Sequence, residues 1–178
     1  MKSIPLVLAC LLAAPVFAQP PANPSATAGA STAEAADAQI RAVIEAFRTA
    51  IIKRDQPAFE RLFLHERITW QPVTSDAALQ RILQKHPTAK KVTVDPARTP
   101  YSFIAGIVAS KNTSEETFDN VRIDSDGDLA SVVFDYAFLS NGQETNHGRE
   151  AWHLLRTPDG WKIASVIWSV NLKPEAAK

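Results

Sequence analysis

The side chains best suited to chemistry gather in the last third of the chain. Glu150 stands two residues before Trp152, and Asn146 shares their side if this run is extended, because alternate residues of a strand point to one face. The same alternation puts Val132, Phe134, Tyr136 and Phe138 on one face of the preceding run, and Ala164, Val166, Trp168 and Val170 on one face of the last. These faces together surround one carboxyl, Glu150, with Tyr136, Trp152 and Trp168, and Trp70 adds a ring from the short run Ile68 to Val73. An acid in an apolar cleft keeps its proton to higher pH than one in water, so it can serve as general acid or base, or grip a ligand's polar group. Glu150 is therefore the catalytic candidate, and Trp70, Tyr136, Asn146, Trp152 and Trp168 are candidate ligand-binding residues. The plain alternative is a wet Glu150 at a strand end, paired with Arg149 or Arg122.

Other constellations carry less. His147 and His153 have the opposite parity to Glu150 and offer no third metal ligand, while His65 and His86 sit at expected helix ends, where the helix dipole suits an imidazolium. No metal and no cofactor is expected. Asp124-Ser125-Asp126-Gly127-Asp128 resembles the start of a calcium loop, but its Gly comes fourth rather than sixth, and the twelfth position is Asp135 within a strand, so it reads as a hairpin turn. There is no Gly-x-Ser-x-Gly elbow and no phosphate-binding glycine loop. Asn112-Thr113-Ser114 reads as a loop.

Four strands with tight turns must position the candidates: Glu116 to Asp124, Leu129 to Leu139, Thr145 to Arg156 and Trp161 to Leu172, joined at Ser125 to Asp128, Ser140-Asn141-Gly142 and Thr157 to Gly160. Gly, Asn, Asp and Pro between β-branched and aromatic runs are strong hairpin signals, so one antiparallel sheet with one covered face is expected. The cover must come from the N-terminal half. Ile40, Val43, Ile44, Phe47 and Ile51 form the stripe of an amphipathic helix running from Asp37 to about Arg54. Asp55 before Pro57 starts a second helix, Ser75 caps a third over Asp76 to Lys85, and Thr99-Pro100 opens a fourth. Ile68 to Val73 and Lys90 to Val94 are expected to be strands. Helices before a long antiparallel sheet describe an α+β domain.

The order of these elements resembles the nuclear transport factor 2-like superfamily. So do the runs Gly127-Asp128-Leu129-Ala130-Ser131-Val132, His147 to Arg156, and Asp159-Gly160-Trp161-Lys162-Ile163-Ala164. Within that superfamily the chain is similar to secreted bacterial proteins of the SnoaL-like and lumazine-binding-like groups. The resemblance covers roughly residues 37 to 172. It implies a cystatin-like cone, with a strongly curved sheet wrapped around helices and open at one end to a pocket. It also implies a homodimer across the outer sheet face and an acidic residue two before an aromatic on the third meander strand, which Glu150 and Trp152 match. The first helix lacks the tyrosine of the ketosteroid isomerase pattern, and no second inward acid is evident.

Composition bounds the rest. The 178 residues are 46% apolar and 21% charged, with 19 basic and 19 acidic side chains, so no field of one sign attracts nucleic acid. Lys2, the apolar run Ile4 to Ala14 and Val16-Phe17-Ala18 form a signal-peptide pattern over residues 1 to 18, which predicts a periplasmic or secreted bacterial protein with no membrane association once mature. Cleavage after Ala18 would remove Cys10, the one cysteine, though Val7-Leu8-Ala9-Cys10 loosely resembles a lipoprotein signal. Residues 19 to 36 are rich in Pro, Ala, Ser and Thr and are expected to be a disordered leader, with the domain over 37 to 173 and a tail over 174 to 178. Three readings stay open: a domain binding a small apolar or aromatic molecule, which ranks first; an isomerase, hydratase or cyclase using Glu150; and a dimeric interaction scaffold.

Overall fold

A computed structural model describes the backbone of residues 24–173 and the side-chain surroundings of 34–173, so the signal-peptide and tail expectations lie outside the described residues. Its elements run α1 (Pro24–Lys53), α2 (Gln56–Glu60), β1 (Thr69–Thr74), α3 (Asp76–Leu83), α4 (Pro100–Ala109), β2 (Ser114–Ser125), β3 (Leu129–Ser140), β4 (Gln143–Thr157) and β5 (Gly160–Leu172). The sheet order is β1-β5-β4-β3-β2. The fold is α+β, as expected, with helices packed on the inner face of a curved sheet. The β2 to β5 meander is antiparallel, but β1 adds to β5 in parallel, so the sheet is mixed. Asn141 and Gly142, at φ 51° and 73°, form the primed turn between β3 and β4 that their residue types predict.

The stripe on α1 faces the sheet as its spacing requires. Ile40, Ile44, Phe47 and Ile51 are buried, whereas Ile52, off the stripe, is 45% exposed. The helix begins well before Asp37. Its backbone is already helical at Pro24, and Ala36 is in the core, contrary to the leader expected over 19 to 36. The physical reason lies in Ala26, Ala28, Ala30, Ala33, Ala35 and Ala36, since alanine is the strongest helix former and a low-hydropathy composition hides that. Asp55, Ser75 and Thr99 cap α2, α3 and α4 through side-chain acceptors, with a full capping box at Thr99 and Ser102. The strand expected over Lys90 to Val94 does not form. One backbone bond ties Lys91 to Thr74, and Val92 and Val94 are exposed; Pro72 removes a donor from the β1 edge that such a strand would pair with.

Bulges give the sheet its curvature. An extra residue falls in β2 between Asp119 and Arg122, with Asn120 at φ 54°, and another in β5 between Ile163 and Ser165 opposite Leu154 and His153. The second one reverses side-chain parity along β5. Trp161 and Ile163 are buried before it and Val166 after it, so Ala164 is the bulge residue rather than an inward one. The narrow end of the cone is filled with rings. Phe47 lies 4.7 Å from Phe59 and 4.9 Å from Trp152, and Trp152 lies 5.0 Å from Phe134.

Candidate functional site

Aromatic packing stops short of the wide end, which leaves a cavity of about 410 Å³. Trp70, Trp168, Tyr136, Phe138 and Phe103 form its walls, drawn from β1, β5, β3 and α4. Trp70 and Trp168 stand 5.1 Å apart at a tilt of 59°. The space lies within the range of small-molecule sites and is mostly apolar, as such sites are.

Two carboxyls enter it. Glu150 comes from β4, opposite Phe134 and Trp168, and Glu116 comes from β2, opposite Phe138. They are 4% and 5% exposed and hydrogen-bond to each other, an arrangement that needs a proton on one of them. Among the described residues neither pairs with a lysine or arginine; Arg149 instead bonds Asp135 at 3.2 Å. Burial pushes Glu116 well above the usual carboxylate range, and the charge on Glu150 raises it further. Burial also pushes Glu150 up, to about 7, while hydrogen bonds donated by Trp152 and Glu116 pull it back. Trp152 Nε1 donates to Glu150 Oε1 at 2.6 Å. Near neutral pH, Glu116 is therefore the acid and Glu150 the carboxylate that receives its hydrogen bond.

The wall between the two acids is fixed from behind. Tyr136, opposite Phe118 on β2 and Gly148 on β4, has its hydroxyl 3.0 Å from both Asn146 Oδ1 and the Ser169 carbonyl oxygen. Ser169 Oγ accepts from the Arg149 N–H at 3.0 Å, which leaves the carbonyl for Tyr136. That approach requires glycine at 148, because a Cβ there would lie 2.0 Å from the Ser169 carbonyl oxygen. Burial and the two carboxylates push the Tyr136 hydroxyl up, so Tyr136 stays a neutral, anchored part of the wall.

Five of the six candidate residues, Trp70, Tyr136, Asn146, Glu150 and Trp168, line the cavity together. Trp152 does not. It is fully buried behind the wall, where it orients Glu150 instead of touching a ligand. Phe138 lines the cavity from the face on which alternation puts it, whereas sequence reasoning missed Glu116, Phe103 and Arg98 as lining residues. His147 and His153 lie off the cavity, with Nδ1 atoms 2.9 Å from Glu144 Oε1 and 2.7 Å from Ser165 Oγ. In the Asp124 to Asp128 stretch, Asp126 Oδ1 accepts from the N–H groups of Asp128 and Leu129, which is hairpin-turn chemistry.

The architecture is the cystatin-like cone of the nuclear transport factor 2-like superfamily. An NTF2-like protein with a cystatin-like fold from Novosphingobium aromaticivorans superposes at a TM-score of 0.58 and 13% identity, covering 87% of this chain and 93% of that one. An NTF2-like superfamily protein from Salmonella enterica gives 0.56 at 19% identity, over 82% and 98% of the two chains. A candidate scytalone dehydratase from Novosphingobium aromaticivorans gives 0.58 at 12%, over 84% and 93%. Identities this low establish the shared fold alone. No family sequence model and no curated protein sequence matches the chain.

Proposed function

We propose that the chain is an acid–base enzyme that moves a proton on a small, mostly apolar or aromatic molecule held in the cone, in the manner of an isomerase or a dehydratase. One observation carries this reading: Glu116 and Glu150, both buried and neither paired with a lysine or arginine among the described residues, meet in one mostly apolar cavity. Burying two acids without a cation paired to either costs stability that an apolar pair of similar size would not, so the arrangement is best understood through what it does. Two carboxyls whose environments separate their proton affinities are a working acid and base. Protonated Glu116 donates to a carbonyl or hydroxyl oxygen of the substrate, and ionised Glu150 takes a proton from the carbon next to the one that bears that oxygen, so that an enol forms or water leaves. Trp152 holds Glu150 in place. The dehydratase name of one structural neighbour is in keeping with such chemistry.

A binding domain without catalysis is the second reading, and the paired rings of Trp70 and Trp168 favour it. Exchange in D₂O separates the two. A bicyclic ketone such as 2-tetralone, shown to bind by tryptophan quenching, should lose its α-protons faster with the wild-type protein than in buffer, and Glu150→Gln should remove the acceleration. Binding without accelerated exchange would refute the enzyme and leave the binder. The signal-like segment further supports action outside the cytoplasm, and the outward row Val133, Ala151 and Ile167 supports a homodimer across that face. N-terminal sequencing of exported protein and sedimentation of the purified protein test these two points; an uncut chain and a monomer at micromolar concentration are the contrary results.

A further inference from the structure

Four arginines of the described chain are half-buried: Arg48, Arg54, Arg81 and Arg98. The first three have partners. Arg48 bonds Glu115 at 2.6 Å, Arg54 donates to the carbonyls of Ser110 and Asn112, and Arg81 donates to that of Lys173. Arg98 has neither an ion pair nor a side-chain hydrogen bond among the described residues, and it lines the cavity. Its backbone is nonetheless fixed, since its N–H donates to the Asp95 carbonyl at 3.0 Å and the next residue, Thr99, is the buried N-cap of α4. Arg98, Pro72 and Thr74 are also common to the cavity and to a smaller cleft beside α3 that carries Lys90 and Lys91.

We propose that the cavity selects a small apolar or aromatic molecule bearing a carboxylate, and that Arg98 is the residue that recognises it. This rests on reading the cavity as a substrate site, and it adds the chemical class of the substrate. A guanidinium presents a fork of donors that matches a carboxylate, and partial burial strengthens the pairing relative to water. The charge distribution sets the ligand's direction. The Glu116–Glu150 pair repels an anion, so the carboxylate goes to Arg98 while the apolar body lies along Trp70 and Trp168 with its reacting carbon toward the acids. Recognition and proton transfer thus use different groups of one cavity.

The test compares 2-naphthoate with 2-naphthamide, which have the same shape and differ in charge, by calorimetry and tryptophan quenching at pH 7 and low salt. Wild type is expected to bind naphthoate at least tenfold more tightly. Arg98→Gln should erase that preference while leaving the affinity for naphthamide within about twofold, and Arg98→Lys should restore part of it. Equal affinities in wild type, a preference that survives Arg98→Gln, or no binding of either probe would each overturn the assignment. Ketone exchange and the titration of Glu150 in ligand-free protein do not involve Arg98. A protein that passes those and shows no charge preference keeps the acid–base function and loses this specificity.

Discussion

Replacing Glu150 with glutamine should make the protein more stable, and by an amount that grows with pH. In the folded chain Glu150 titrates at about 7, because burial disfavours its charge, against an ordinary value of 4.5. The folded state therefore binds more protons than the unfolded one between these values, and wild-type stability falls as pH rises through that window. Below 4.5 both states are protonated and this cost is absent; above 7 it is complete. At about 1.4 kcal/mol for each pH unit, the gap amounts to about 3 kcal/mol. Glutamine can accept from Trp152 with its amide oxygen and donate to Glu116 with its amide nitrogen, and it does not titrate. The variant should match wild type near pH 4.5 and exceed it by about 3 kcal/mol at pH 8, which is a urea midpoint higher by about 1.5 M if the slope is about 2 kcal/mol per molar. Glu116 is present in both proteins, so most of its own contribution cancels in the difference. Urea unfolding at half-unit steps from pH 4.5 to 8, followed by circular dichroism, measures the difference directly. Tryptophan emission supplies a second readout, because Trp152 Nε1 bonds the titrating group. A difference that stays constant over this range, with emission equally flat, would mean that Glu150 is solvated and that the acid pair does not exist as described.

Gly148→Ala should cost about 2 to 4 kcal/mol, from overpacking against the Ser169 backbone and from an unanchored Tyr136 hydroxyl. Gly106→Ala, on an exposed face of α4 with nothing within 4 Å of the added carbon, should stabilise by about 0.5 to 1 kcal/mol. Thermal unfolding that ranks the two alike would show that the β4–β5 approach is looser than described. On α1, Phe47→Ala or Ile44→Ala should each cost about 2 to 5 kcal/mol and Ile52→Ala less than about 0.5, since the first two are buried and Ile52 is 45% exposed. Equal denaturation midpoints for these three variants would mean that the stripe does not face the sheet.

Alternation along β4 was legible because the strand keeps its parity from Asn146 to Leu154. Reading every second residue brought Asn146, Glu150 and Leu154 to the inner face, with Glu150 in the cavity and Leu154 in the core. It also brought Trp152 inward, but periodicity gives a face and not a depth. Whether an inward ring lines a cavity or closes its floor depends on what packs behind it, and here Phe47 from a helix a hundred residues away fills that space.

The second acid lies where strict alternation fails. Along β2, Phe118 marks the even positions as apolar and Val121 and Ile123 the odd ones, so strict alternation gives no single inner face on which to place Glu116. The bulge around Asn120 inserts one residue between Asp119 and Arg122, so Glu116 and Phe118 before it share a face with Val121 and Ile123 after it. A one-residue insertion reverses every later side chain of a strand. Asn120 is a signal in principle, since asparagine tolerates the left-handed backbone that it adopts at φ 54°, but asparagine is equally at home at strand ends and turns. The irregularity also bends β2 so that a strand at the sheet's edge carries its carboxyl back across β3 to Glu150. What joins the two acids is thus a departure from the regular pattern, and a sequence read for regularity finds the core before it finds the chemistry.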